Sequence, residues 1–510
     1  MTDAALDLPP HPAPAARIWG PQLRVLTTGL VSTITLLAFE SLAVVTVAPL
    51  VSADLHGLDL YGWLTGAFFL TTVVGLVLAG AAMDRAGPIR PFVVGLLVFG
   101  AGLAVAATAV DMAVVIVGRG LQGLGDGAIA AVCFGTVGQT YPAQVRPNVF
   151  AVLATAWVVP SLGGPAVAAF IAESVGWRWV FGGLIPLVVI AGAITVRALL
   201  AATAAGPHVE DGGNGPVEVT VTGAAAPSAG PAAGRAEIWP VPAAGHGPLV
   251  RAIRVAAGAG LLLAGLTSRS LVGLPLVAAG LLIGVGALRR LLPAGTLRAR
   301  PGAPAAVAVR GLLACAFFGA DTFVPLAITS VRHASTTVAG LAVTTAAVVW
   351  TAGSWTQARL ARRRSGRFLV TTGFGTLIIA VAGTGVALLV PAVPLGVGIA
   401  CWGAAGFGIG IAYSPVMNVA LNDAPPDRQG MASSAVSLSD NLGVALGAGI
   451  GGVVVAAGTA AGHSASTSGL AGAFALAAAV GLLGLVVARR LPTTALAPPP
   501  AEPPPDNQAR

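Results

Sequence analysis

The sequence predicts an all-α integral membrane protein with fourteen spanning helices, and three observations predict it. Of 510 residues, 56% are hydrophobic and only 9% are charged, where a soluble chain carries about 25% charge. Apolar runs of the roughly 20 residues needed to cross a bilayer recur along almost the whole chain. The cations are all arginine, with no lysine anywhere, and they stand at the ends of those runs.

Taken in order, residues 1–22 form a Pro-rich cytoplasmic tail. The first apolar run is too long for the h-region of a cleavable signal. A first set of six spans fills 23–200, at about 25–50, 60–82, 91–110, 112–138, 148–172 and 179–200. Residues 201–248 are rich in Gly, Ala and Pro and read as a flexible cytoplasmic linker. Two shorter runs, about 252–267 and 271–288, form an inserted pair within 249–291. A second set of six fills 302–490, at about 304–329, 336–358, 368–390, 394–420, 430–458 and 468–488. The Pro-rich tail 491–510 has too little apolar content to fold and reads as disordered.

Arginine also orients the chain. With the N-terminus in the cytoplasm, the loops holding Arg85 and Arg90, Arg146, Arg289 and Arg290, Arg359 to Arg367, Arg428, and Arg489 and Arg490 all fall inside. Only Arg178, Arg269 and Arg332 fall outside, so the positive-inside rule places both termini in the cytoplasm of a cell membrane protein. The same distribution explains the net charge of +8 without a nucleic-acid partner, which would need one basic face interleaved with aromatics. A nucleotide-binding P-loop requires Lys and is excluded. Cys133, Cys315 and Cys401 lie apart inside apolar runs and read as small core hydrophobes. The six histidines lie in loops or tails, so no metal, cofactor or enzyme activity is expected.

The two six-span sets read as repeats. Gly80 to Arg90 follows span 2, and Gly353 to Arg364 stands at the corresponding place in the second set. Pro142 to Arg146 before span 5 matches Pro426 to Gly430 before the next-to-last span. Paired halves of this kind put the substrate site at their interface near mid-membrane. The middle pair has no counterpart and is expected at the periphery, outside the translocation path.

At these residues the chain resembles the major facilitator superfamily, and within it the fourteen-span drug:proton antiporters of the EmrB/QacA type. Gly80, Asp84, Arg85, Gly87 and Arg90 resemble the G-x-L-A-D-R-x-G-R-[RK] loop, with Met83, Pro88 and Ile89 as departures. Arg119, Gln122, Gly123 and Gly125 resemble the R-x-x-Q-G-x-G signature of span 4. Gly164 and Pro165 resemble the antiporter G-P-x-x-G-G signature, although Ala168 and Ala169 replace its last glycines. Trp177 to Phe181 resembles W-R-W-x-F, and Glu40 with Ala48 and Pro49 stands where the family has D-x-T-I-V-N-x-A-x-P. The resemblance implies two six-helix halves plus two inserted helices. It also implies export of small amphipathic compounds in exchange for protons.

The residues themselves carry a compatible chemistry. A carboxylate in a span costs about 2.5–3.5 kcal/mol on insertion scales and is rarely idle. Glu40, Asp126, Asp321 and Asp440 stand well inside spans, with Arg119 and Arg310. Glu40 and Arg119 lie roughly 15 Å and 10 Å from the outer ends of their helices, a gap a long Arg can close. Arg119, Gln122 and Asp126 share one face of span 4. A Glu–Arg–Asp ladder can carry a proton, because a buried carboxylate stays ionised beside Arg and takes up a proton when the two part. The alternative is a set of salt bridges that lock helices. Depth favours the proton role for Glu40 and Asp126 and leaves Arg119 between tuning and locking. Asp321, in a segment opened by Pro325, reads either as a proton or substrate site or as a structural partner, and Asp440 reads as structural. The loop Gly80 to Arg90 reads as a conformational latch, and Gly164-Pro165 as a bend with close helix approach. With aromatics at 5%, a wide apolar cavity suits many ligands. The alternatives to a drug exporter are a carrier of one metabolite or lipid, or a non-transporting scaffold or sensor.

Overall fold

A computed structural model describes residues 19–20, 23–141, 145, 149, 152–153, 155–204, 247–268, 271–361, 363–425, 428–458 and 466–493. The N-half helices are α1 (Arg24–Asp54), α2 (Tyr61–Ala86), α3 (Ile89–Ala107), α4 (Met112–Thr140), α5 (Val158–Ser174), α6 (Arg178–Gly182) and α7 (Leu184–Ala204). The inserted pair is α8 (Gly247–Thr267) and α9 (Gly273–Leu291). The C-half helices are α10 (Ala303–Asp321), α11 (Val324–Ser330), α12 (Thr336–Leu360), α13 (Gly366–Leu389), α14 (Leu395–Asp423), α15 (Gln429–Gly458) and α16 (Thr467–Ala488).

Among the described residues these make fourteen crossings, since α6 runs on into α7 and α10 into α11. Twelve segments are long and apolar enough to span a membrane. The other two are α5, a shorter apolar helix, and α4, whose 29 residues include Arg119, Gln122 and Asp126. The sequence start of span 5, near 148, falls partly outside the described residues. Helix starts carry their own caps: Asp111, Ser335, Ser365 and Ser466 accept from backbone N–H groups three residues on, satisfying donors a helix leaves open.

The halves repeat each other at the level of single contacts. A Cβ on Gly123 or Gly127 of α4 would strike the carbonyls of Phe68 and Thr72 on α2. A Cβ on Gly406 or Gly410 of α14 would strike those of Ala346 and Trp350 on α12. One constant step along the chain relates each pair of glycines, and another relates their targets. These steps also correct the register of the repeat read from sequence. Gly353 matches Gly75 rather than Gly80, for each abuts the matching carbonyl, Leu124 or Phe407. Glycine is required here because two helices in lipid gain their attraction from close backbone approach.

The inserted pair packs on itself through Gly258, Gly280 and Gly284. Helix α8 then bridges the halves from one side: Leu263 is buried with Leu70 of α2 and Ala445 of α15, and Trp63 Nε1 donates to Thr267 Oγ1 at 3.3 Å. Helix α9 keeps most of its apolar surface outward, with Leu274 and Leu282 among its exposed residues.

The side-chain hydrogen bonds described between the halves lie where α2 and α12 begin and α5 ends. Tyr61 Oη donates to Thr322 O at 3.1 Å. Thr337 N and Oγ1 donate to the two Glu173 carboxylate oxygens at 3.0 and 2.9 Å. Gly340 of α12 lies close against the Pro165 carbonyl of α5.

Candidate translocation core

In the N half, α1 and α4 bring Glu40 and Arg119 together as an ion pair in which both side chains are almost wholly buried. Arg119 donates through NH1 to Glu40 Oε1 and to Gln122 Oε1. Its Nε donates to Leu64 O at 3.0 Å, and its Cζ lies 4.3 Å from the Phe68 ring centroid. The guanidinium is thus held from four sides. Glu40 Oε2 and Gln122 Nε2 are buried without a hydrogen-bond partner, an arrangement that costs about 1–3 kcal/mol per group. A carboxylate with one paired and one free oxygen can accept a proton without first breaking its ion pair. Asp126 lies two turns along α4 on the same face, partly buried, with the Thr72 hydroxyl beside it. It forms no direct ion pair with Arg119 among the described residues.

In the C half, Arg310 of α10 donates through Nε to Asp440 Oδ1 of α15 at 2.7 Å. Tyr413 of α14 donates to Asp440 Oδ2 at 3.0 Å, and its carbonyl accepts from Arg310 NH1 at 2.9 Å. The Arg310 Cζ sits 3.1 Å from the Tyr413 ring centroid. Three helices are tied by this cluster. Sequence reasoning held Arg310 and Asp440 separately and did not pair them. Both helices run the same way, and the two residues lie at similar depth, which was the available clue.

Asp321 closes α10 and is 7% exposed. No basic side chain pairs with it among the described residues. The indole N–H of Trp402 on α14 is buried without a hydrogen-bond partner. Across the seam, the hydroxyl of Tyr61 on α2 donates to the carbonyl of Thr322, the residue that follows Asp321. Behind Asp321 the aromatics gather: Phe317 stacks on Trp402 at 5.0 Å, and Trp350 meets Phe317 edge-on at 5.4 Å and Tyr413 at 5.1 Å. Few aromatics are present in the chain, yet α10, α12 and α14 collect them in one place. Sequence spacing could not reveal this, since the rings come from three distant helices.

The loop residues are placed more simply. Gly87 ends α2 at φ +72°, where a side chain would be strained, and Arg85 and Arg90 are exposed. Gly80 faces open space. The side chain of Asp84 lies outside the described residues. Gly164 packs beside Phe39, and Pro165 meets α12. The run from Trp177 gains a structural account: Trp177 Nε1 and Arg178 NH1 both donate to Asp54 Oδ2 at 3.0 Å, tying the start of α6 to the end of α1. Cys133, Cys315 and Cys401 are free thiols.

Fourteen crossings among the described residues, two repeated halves and ion-paired side chains buried between helices define a polytopic α-helical membrane protein. The chain belongs to the Major Facilitator Superfamily, whose sequence profile matches residues 29–448. It is 31% identical over 183 residues to the multidrug transporter protein MdtP of Bacillus subtilis, covering 36% of this chain and 34% of that protein. It is 30% identical over 187 residues to a probable multidrug-efflux transporter of Mycobacterium tuberculosis, covering 37% and 39%. Each match thus spans little more than a third of the curated relative. Among solved structures, an auto-inhibited POT family peptide transporter aligns with a TM-score of 0.60 at 17% identity, covering 92% of this chain and 99% of that one. A bacterial homologue of the human lysosomal transporter Spinster, inward-facing and unoccupied, aligns at 0.59 and 14%, covering 92% and 98%. These two likenesses concern the fold.

Proposed function

We propose that this protein is a proton-coupled antiporter that exports amphipathic small molecules across the cytoplasmic membrane, with both termini in the cytoplasm. The observation that carries the reading is the buried Glu40–Arg119–Gln122 cluster, in which one carboxylate oxygen and one amide nitrogen are left unpaired. A proton taken up on Glu40 Oε2 removes the counter-ion of Arg119. Arg119 then keeps only neutral partners, the Leu64 carbonyl, the Gln122 amide oxygen and the Phe68 ring. That change favours an arrangement of α1 against α4 different from the ionised one. Asp126, two turns along α4, is the next station for the proton. Asp321 serves either as a further proton site or as part of the substrate site. Rocking of one half against the other then exposes the core to each side in turn. The halves are joined at the end where Tyr61 and Glu173 make their bonds, and under the orientation above that end faces outward. Gly80, Asp84, Arg85, Gly87 and Arg90 act as the latch at the opposite end, and Gly164-Pro165 as the bend at the α5–α12 seam.

That one curated relative is named a probable multidrug-efflux transporter supports the direction of transport. The test is efflux of a panel of dyes from cells expressing the protein, with the proton gradient intact or collapsed. Export that stops when the gradient collapses supports the reading, and export indifferent to the gradient refutes proton coupling.

A further inference from the structure

Between Glu237 and Asp321 the chain has no carboxylate, and between Asp440 and Glu502 it again has none. Arginine is dense in both stretches, and the fold brings its copies to one end of the molecule. Helix α8 carries Arg251 and Arg254 in its first two turns, and α9 closes with Arg289 and Arg290. Gly258 of α8 rests on the backbone of Gly284 of α9. One turn from that contact, Arg254 stands across from the last turn of α9 in the antiparallel pair. Residues 292–295 then lead into the tight turn Thr296–Arg298. Arg490, just beyond α16, donates through NH1 to the Arg298 and Ala299 carbonyls at 2.7 and 3.1 Å. Those bonds dock the end of the C half against the end of the inserted pair.

Arg254, Arg289, Arg290, Arg489 and Arg490 are all exposed, and no carboxylate pairs with any of them among the described residues. The acid that does stand beside this connection, Asp423 of α14, accepts from Ala303 N at 2.7 Å and caps α10. Like charges gathered without counter-ions repel one another, so the arrangement favours an anion from outside the chain. Toward the membrane interior, α9 exposes Leu281 and Leu282, and α16 exposes Leu483 and Val486. The guanidinium groups thus lie where an apolar, lipid-facing surface gives way to water, which is the level of phospholipid headgroups. The positive-inside rule asks only for arginine in cytoplasmic loops. It does not ask that arginines of the inserted pair and of the last helix be fastened together by hydrogen bonds.

We propose that this cluster binds the phosphate headgroup of an anionic phospholipid of the inner leaflet, so that lipid bridges the inserted pair to the C half. The planar arginine fork matches phosphate oxygens in a two-point contact. The arginine pair of α9 and the pair beyond α16 supply the two sides of the site. Because α8 also packs on α2 and α15, bound lipid holds α8 across the seam between the halves. The leaflet follows from the orientation proposed above. The binding itself depends on neither that orientation nor transport.

The test is native mass spectrometry of the purified full-length protein in detergent, titrated with phosphatidylglycerol or with phosphatidylethanolamine of the same chains. The wild-type protein is expected to retain phosphatidylglycerol in clear preference to phosphatidylethanolamine, and inorganic phosphate should not displace it. An arginine at an anionic surface contributes about fivefold in affinity, so Arg289→Gln, Arg290→Gln, Arg489→Gln and Arg490→Gln together should weaken phosphatidylglycerol by roughly tenfold or more. Arg359→Gln, Arg363→Gln, Arg364→Gln and Arg367→Gln together remove the same charge from the connection between α12 and α13 and should leave the binding unchanged. If the first set fails to elute as a monodisperse species, Arg489→Gln with Arg490→Gln, beyond the last helix, decides the matter with an expected loss of roughly fivefold or more. Equal binding of the two lipids, equal loss from both sets, no loss from the first set or from its C-terminal pair, or displacement by inorganic phosphate would each overturn the proposal. Gradient-driven dye efflux from cells judges the transporter reading separately.

Discussion

Arg119 and Glu40 meet across α4 and α1 in a setting almost closed to solvent, and the second oxygen of Glu40 has no partner. A proton entering on that oxygen changes the electrostatics of the helix contact without new residues being recruited. Glu40→Gln removes the titration and keeps a neutral group of similar shape. It should still bind substrate yet lose accumulation against a gradient, forfeiting about 2.3 kcal/mol per proton for each 100 mV. Vesicles with an imposed proton gradient measure this directly. Uphill export at the wild-type level would remove Glu40 from the coupling route.

Asp126 lies about 10 Å along α4 from Arg119 by helical rise. Asp126→Asn should abolish uphill export or shift the dependence of transport on pH, read from initial rates across a pH series. Full uphill export by the double variant with Glu40→Gln would move the proton site elsewhere, with Asp321 as the next candidate.

The Arg310–Asp440–Tyr413 cluster has well-formed hydrogen bonds on both carboxylate oxygens. It acts as a lock between α10, α14 and α15. Asp440→Ala strands a buried guanidinium, and removing one partner of such a pair costs about 3–5 kcal/mol. Thermal unfolding in detergent should show a lower midpoint, while the double replacement Arg310→Met with Asp440→Leu recovers much of the loss. A midpoint unchanged in Asp440→Ala would mean that the cluster contributes nothing to stability.

Glu173 receives both donors of Thr337 at the start of α12, where a helix favours negative charge. Glu173→Ala should loosen this end of the seam. In a protein otherwise free of cysteine, Thr322→Cys should then react roughly threefold faster with maleimide added outside cells, the scale of one exposed helix-end interaction. An unchanged rate would show that the seam is held by packing alone.

Orientation is tested in the linker 201–248, of which residues 205–246 lie outside the described residues. A cysteine replacing Ala226 should resist a membrane-impermeant label in intact cells and react after permeabilisation. Labelling in intact cells would reverse the orientation or change the number of crossings before it.

Much of the fold was legible along the chain. Each span is its own hydrophobic run, because in lipid a helix satisfies its backbone groups alone and must be apolar along its length. The ion pair of Glu40 and Arg119 was reachable by counting rise from a shared membrane boundary. The pairing of Arg310 with Asp440 needed the same count from the inner boundary. Trp402, Tyr61 and Glu173 gave no such opening, since an indole, a phenol at a helix start and a surface carboxylate are ordinary in sequence.

The sequence by itself determined the membrane class, the spans, the bias of arginine and the presence of acids too costly to bury idly. Those properties follow from transfer between water and lipid, which acts on each segment separately. Only the tertiary structure decided which acid has a basic partner and which does not. Glu40 has Arg119 and Asp440 has Arg310, while Asp321 has no basic partner among the described residues. Such pairings depend on which faces of distant helices meet, and helix contact in lipid is chosen by the close approach of glycines such as Gly123 and Gly406 rather than by hydrophobicity.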